Sequence, residues 1–143
     1  MSIKKYGTAH WEGSLKQGKG VVSTESGALK ENPYGFNTRF EDQPGTNPEE
    51  LIGAAHASCY SMALSMILGE ASLEPKRIDT KATVTLEQDD SGFTVTAIHL
   101  ETEAEVPGAS QSDFDDATQK AKEGCPISKL FNAKITLDAK LAS

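Results

Sequence analysis

Between Leu51 and Leu68 the chain carries no Asp, Glu, Lys or Arg. That run is built from Gly53, Ala54, Ala55, Ala57, Met62, Ala63, Leu64, Met66 and Ile67, with His56, Ser58, Ser61 and Ser65 spaced through it. A strong helix start precedes it: Asn47 suits an N-cap, Pro48 the first helical position, and Glu50 a capping-box carboxylate, with Thr46 and Glu49 offering the same box one residue earlier. The pattern predicts a helix from about Glu49 to Leu68, stopped by Gly69. A helix apolar on every side either spans a membrane or is wrapped by protein. The serines, a length at the lower limit for spanning, and the amphipathic strands that follow favour wrapping by protein. A chain of 143 residues has one domain's worth of core with which to wrap it. We therefore expect a homodimer in which two such helices meet, their small residues letting the backbones approach.

The rest of the chain reads as α+β with mostly antiparallel sheet. Residues 8–12, 21–24 and 36–40 are expected strands, and 42–45 a loop. Ile78, Ala82, Val84 and Leu86 alternate with polar residues in a half-buried strand. Asp89-Asp90-Ser91-Gly92 is a hairpin turn. The return strand places Phe93 and Val95 on odd positions but Ile98, Leu100, Ala104 and Val106 on even ones, which predicts a bulge near Ala97. Ser112 is the expected cap of a helix over 113–123, Cys125-Pro126 opens a short helix through Phe131, and residues 135–141 alternate as a final strand. No repeat or linker divides the chain, so residues 1–143 are expected to form one domain.

A net charge of −7 disfavours nucleic acid and anionic membrane as partners. The N-terminus has lysines with no apolar stretch behind them, which is unlike a signal peptide and points to the cytoplasm. In that compartment two cysteines are better suited to transient chemistry than to a staple.

Those cysteines are Cys59 and Cys125. Cys59 lies in the charge-free helix, where a buried thiol is an ordinary small hydrophobe. As a nucleophile it would need a cation, for which Arg39 is a candidate, and Glu49 could hold that arginine by a bidentate pair. Cys125, as an N-cap, would have backbone N–H groups and the helix dipole to favour its thiolate. On residue physics alone Cys125 is the more acidic thiol. His56 and Cys59, at i and i+3, could be half of a metal or small-ligand site, but no second His–Cys pair completes it and no metal is expected. A Cys–His hydrolase would have its base aimed poorly, and two inert buried thiols in a structural protein is a further reading.

The segment Asn47-Pro48-Glu49-Glu50-Leu51-Ile52-Gly53-Ala54-Ala55-His56-Ala57-Ser58-Cys59 resembles the central-helix signature of the OsmC/Ohr proteins, the osmotically inducible protein C and organic hydroperoxide resistance groups. Gly124-Cys125-Pro126 is similar to their second-cysteine motif, and Tyr34-Gly35-Phe36-Asn37-Thr38-Arg39-Phe40-Glu41 with His10-Trp11-Glu12-Gly13 resembles the OsmC branch. The resemblance implies an intertwined homodimer, with antiparallel sheets wrapped around two long central helices and active sites at the interface. It implies a peroxidase that reduces organic hydroperoxides, and more weakly hydrogen peroxide, in a stress or detoxification role. Cys59 would be the peroxidatic cysteine, reversing the choice made on acidity, and Cys125 the resolving one. Arg39 would activate the thiolate and substrate, and Glu49 would orient Arg39. No bound cofactor is implied; an external dithiol of the lipoyl type would return the cysteines to thiols. Tyr34, Phe36, Met62 and Ile127 are expected to line the substrate site.

Overall fold

The computed structural model of the chain describes residues 1–130 and 136. Its elements run β1 (Gly7–Glu12), β2 (Lys19–Thr24), β3 (Asn32–Tyr34), α1 (Phe36–Phe40), α2 (Pro48–Glu70), β4 (Arg77–Asp89), β5 (Gly92–Glu105), α3 (Gln111–Gly124) and α4 (Pro126–Lys129). The fold class is α+β. Two compact units divide the chain, one comprising Met1–Ile52 and the other beginning at Gly53.

In the first unit β1, β2 and β3 form an antiparallel sheet in that order, with Trp11 opposite Gly20 and Gly20 opposite Tyr34. Gly20 is required at that crossing. A Cβ there would lie 2.5 Å from the Tyr34 ring and 2.7 Å from the Trp11 ring. The two rings consequently meet over it, centroids 5.5 Å apart.

Residues 36–40 are a short helix, not the expected strand. Phe36, Thr38 and Phe40 fit both a period of two and an i, i+4 pair, and local bonds decide for the helix. Thr38 Oγ1 accepts the Gly35 N–H at 2.8 Å, Arg39 N–H donates to Gly35 O at 3.2 Å, and the Phe36 and Phe40 rings pack at 4.8 Å. The third strand is instead Asn32–Tyr34.

The start of α2 is as expected, with Asn47 Oδ1 accepting the Glu50 N–H at 2.8 Å. Its end lies beyond Gly69. The helix runs through Glu70 and is stopped by Ser72 in the left-handed region (φ 60°), with Leu73 N–H returning to Leu68 O at 2.9 Å. By length and composition α2 could cross a membrane. Its buried residues, however, form a stripe at helical spacing: Gly53, His56, Tyr60, Leu64 and Leu68. In the second unit Tyr60, Leu64 and Leu68 join Ala117 and Ala121 of α3 and Cys125 in the core. This is a core helix with one covered face.

The hairpin β4–β5 pairs Arg77 with Glu105 through to Asp89 with Gly92, around a two-residue turn. Thr85 pairs with Ala97 but Leu86 with Val95, so Thr96 is the extra residue and the bulge falls where the parity switch predicts it. Gly53 lets α2 lie close on β4: a Cβ there would sit 3.1 Å from Ala82 O. A chain of hydroxyls fixes the same contact, Ser61 to Thr80 at 2.7 Å and Thr80 to Thr102 at 3.1 Å. The cap of α3 is Ser110, not Ser112. Ser110 Oγ accepts the Asp113 N–H at 3.1 Å, and the Asp113 carboxylate accepts the Ser110 N–H in return. α4 ends at Lys129, short of Phe131, and the strand expected over 135–141 lies outside the described residues apart from Thr136.

Leu64 is fully buried. Leu64→Ala is expected to lower stability by about 3 kcal/mol, read as a shift in the denaturation midpoint.

Candidate functional site

The packing of α2 against α3 sets the register of the two cysteines. Tyr60 Oη donates to Thr118 O at 3.4 Å, and Cys125 follows directly at the C-terminal end of α3, where its N–H donates to Ala121 O. Cys59 is the neighbour of Tyr60 on α2. The result is that the Cys59 and Cys125 thiols are free and hydrogen-bonded to each other.

Cys125 is the N-cap of α4, with Pro126 at the first helical position. The turn beyond it supplies donors. The Ile127 N–H reaches both sulfurs, and Cys125 also receives the Ser128 N–H and hydroxyl. Burial pushes the Cys125 thiol up, but the bond from Cys59 and the donors of Ser128 and Ile127 outweigh it, and its pKa is lowered. Burial also pushes up Cys59, and its hydrogen bond to Cys125 raises it further against the weaker pull of the Ile127 N–H. Within this unit Cys125 is therefore the more acidic of the two thiols, the order read from the residues.

Access runs the other way. Cys125 is completely buried, whereas Cys59 is half-buried on α2. In the single chain Cys59 is the more exposed of the two thiols.

His56, one turn before Cys59, is 5% exposed. Its Nε2 lies 2.9 Å from Ser128 Oγ, its Nδ1 has no partner among the described residues, and burial lowers its pKa. The expectation of a metal or ligand site at His56 and Cys59 meets a different arrangement, since His56 turns to Ser128 and Cys59 to Cys125. Among the described residues no group of three or more His, Cys, Asp or Glu side chains is placed to hold a metal.

In the first unit Arg39, on α1, meets Glu49 in the first turn of α2. Arg39 Nε donates to Oε2 at 3.0 Å and Nη2 to Oε1 at 2.5 Å, a bidentate pair. The guanidinium also lies 5.3 Å from the Phe40 ring centroid. It borders a cavity of about 300 Å³ walled by Trp11, Leu15, Tyr34, Phe36 and Phe40. Of the expected lining residues, Tyr34 and Phe36 stand beside Arg39 in this cavity. Met62 and Ile127 belong to the second unit. Met62 is 76% exposed on α2, and Ile127 packs on the core beside the cysteines.

Sequence reasoning missed Ser128 and Trp11. Ser128 was signalled by its position three residues after an N-cap, where its N–H and hydroxyl face that cap. Trp11 was signalled by Gly20 and Tyr34, which sit at matching positions of neighbouring strands.

A family model described as OsmC-like protein matches residues 40–140. The chain belongs to the OsmC-like family. It is 61% identical over 143 residues to Peroxiredoxin OsmC of Escherichia coli (strain K12), covering 100% of each chain. To Organic hydroperoxide resistance protein-like 1 of Staphylococcus saprophyticus it is 33% identical over 101 residues, covering 70% of this chain and 71% of that one. The crystal structure of the organic hydroperoxide resistance protein OhrB of Bacillus subtilis superposes with a TM-score of 0.63 at 25% identity, over 87% of this chain and 88% of that one. Both cysteines of this OsmC-like chain fall within the matched region.

Removing the Cys59 donor should make Cys125 less acidic. In Cys59→Ala the ultraviolet thiolate absorbance of Cys125 is expected to titrate at higher pH than the Cys125 signal of the unaltered chain.

Proposed function

We propose that this OsmC-like protein is a thiol peroxidase that reduces organic hydroperoxides to alcohols, with Cys59 as the attacking thiol and Cys125 as the resolving one. The observation that carries this reading is the hydrogen-bonded thiol pair, one member open to an arriving molecule and the other enclosed. The names of its relatives, a peroxiredoxin and organic hydroperoxide resistance proteins, support the same chemistry.

In the reaction, the Cys59 thiolate attacks the terminal oxygen of the hydroperoxide. The O–O bond breaks, the alkoxide takes a proton and leaves as the alcohol, and Cys59 becomes a sulfenic acid. The Cys125 thiolate then attacks the Cys59 sulfur. The S–S bond forms, the S–O bond breaks, and hydroxide leaves and is protonated to water. An external dithiol of the lipoyl type restores both thiols by exchange. The cysteines carry the two electrons themselves, so the scheme calls for no bound prosthetic group.

Cys59 needs a cation to hold its thiolate against the pull of Cys125, and Arg39 supplies it in this reading, oriented by Glu49. The same guanidinium stabilises charge developing on the peroxide oxygens. In this reading the arginine clamped to Glu49 serves the Cys59 of a second subunit, with the active sites at the dimer interface. The uncovered face of α2 supports such a dimer: Ala55, Ser58, Met62, Ser65 and Met66 are all exposed in the single chain. Two such faces bury one another, with the sheets wrapped around the helix pair. Both units then belong to one domain through which α2 runs. Tyr34, Phe36 and the other aromatic walls beside Arg39 would receive the organic part of the substrate, which favours organic hydroperoxides over hydrogen peroxide. A cytoplasmic location agrees with thiols that must be kept reduced.

Cys59→Ser is expected to abolish turnover of cumene hydroperoxide, and Cys125→Ser to allow a single oxidation without recycling. Arg39→Ala and Cys59→Ser chains, each inactive alone, should regain about a quarter of the unaltered activity when refolded as an equal mixture, because half the dimers then hold one complete site. Full activity in Cys59→Ser overturns the cysteine assignment. No recovery in the mixture overturns the shared site.

A further inference from the structure

The disulfide-forming step needs Cys125 as a thiolate, yet its sulfur is fully enclosed, away from bulk water that would take its proton. One route out of that enclosure is visible. The Ser128 hydroxyl bonds the Cys125 sulfur on one side and stands 2.9 Å from His56 Nε2 on the other. Resting on the peroxidase reading above, we propose that His56 draws the thiol proton of Cys125 through the Ser128 hydroxyl, so that Cys125 attacks the Cys59 sulfenic acid as a thiolate. His56 acts through Ser128 and is a positioning and proton-accepting residue for that step.

The transfer balances without any added reagent. The Cys125 proton passes to Ser128 Oγ as the Ser128 proton passes to His56 Nε2. The bonds then reverse, the imidazolium donating to Ser128 and Ser128 donating to the thiolate. When Cys125 bonds to the Cys59 sulfur and hydroxide departs, the proton held by His56 completes the water and the relay is reset.

Three features suit His56 to this part. Its ring is nearly enclosed, so Ser128 does not compete with solvent for Nε2. Nδ1 has no partner among the described residues, so no bond there fixes the tautomer, and Nε2 can accept and then donate. Burial lowers the His56 pKa, so the imidazole is neutral and able to take a proton near neutrality. The other titratable groups around it are Cys59 on its own helix, Cys125 beyond Ser128, His99 from β5, and Lys122 and Glu123 from the end of α3. The last three line, with His56 and Ser128, a cavity of about 750 Å³.

The test separates the two chemical steps in a single turnover with cumene hydroperoxide. Sulfenic acid at Cys59 is trapped with a cyclic 1,3-diketone, and disulfide closure is followed by loss of free thiol over a range of pH. In the unaltered protein, closure should speed up as His56 loses its proton, with an inflection below the ordinary histidine value of 6.5. His56→Gln keeps a group that can bond Ser128 but cannot take a proton. Near neutrality it should slow closure at least about tenfold, and the deficit should vanish at alkaline pH, where the thiol ionises unaided. Ser128→Ala should behave alike, Ser128→Thr should restore closure, and His99→Gln should leave the inflection in place.

Closure in His56→Gln at the unaltered rate, or slowed by one factor at every pH, overturns the relay, the second result marking a packing role. An inflection that disappears in His99→Gln overturns it too. Absence of trapped sulfenic acid in the unaltered protein is a separate outcome that removes the peroxidase reading itself.

Discussion

A helix with no charged side chain over most of its length must be covered, and the covering of α2 organises the rest of the molecule. One face is closed within the chain, where Tyr60, Leu64 and Leu68 pack on Ala117 and Ala121. Across that core Tyr60 Oη donates to Thr118 O, and the C-terminal end of α3 delivers Cys125 to Cys59. Cys125 is both a core residue and the start of the next turn of helix. The same packing that buries apolar surface therefore brings two sulfurs, far apart in sequence, into a hydrogen bond.

The environment of that pair separates accessibility from acidity. Donors of the turn after Cys125 concentrate on its sulfur and lower its pKa, while burial and the hydrogen bond to Cys125 raise that of Cys59. A resolving thiol gains from this arrangement, because it must attack as soon as its neighbour is oxidised. An attacking thiol on the more open residue needs an outside cation to overcome it. In the proposed peroxidase that need is met by the arginine clamped to Glu49, across the uncovered face of α2.

Much of this was legible in the residues. Asn47 and Pro48 mark the start of α2 by cap chemistry alone, and the shift from odd to even apolar positions around Ala97 locates the bulge. Where two readings shared one pattern, the sequence was silent. Phe36, Thr38 and Phe40 fit a strand and a helix equally, and the hydroxyl of Thr38 decides between them. Ser110 and Ser112 each stand three residues before an aspartate, and it is Ser110 with Asp113 that closes the box. Gly69 looked like a stop because glycine commonly is one, but Ser72 takes the left-handed position. Ser128 and His56 are far apart in sequence, and their meeting depends on tertiary packing that no local pattern records.

The central claim is that hydroperoxide oxidation of Cys59 ends in a bond to Cys125 of the same chain. It is tested most directly by mass spectrometry of digested protein after one equivalent of organic hydroperoxide. The account predicts a Cys59–Cys125 disulfide peptide within single chains, formed as the alcohol appears. Alcohol produced while both cysteines remain as free thiols, or bridges found only between chains, would contradict it.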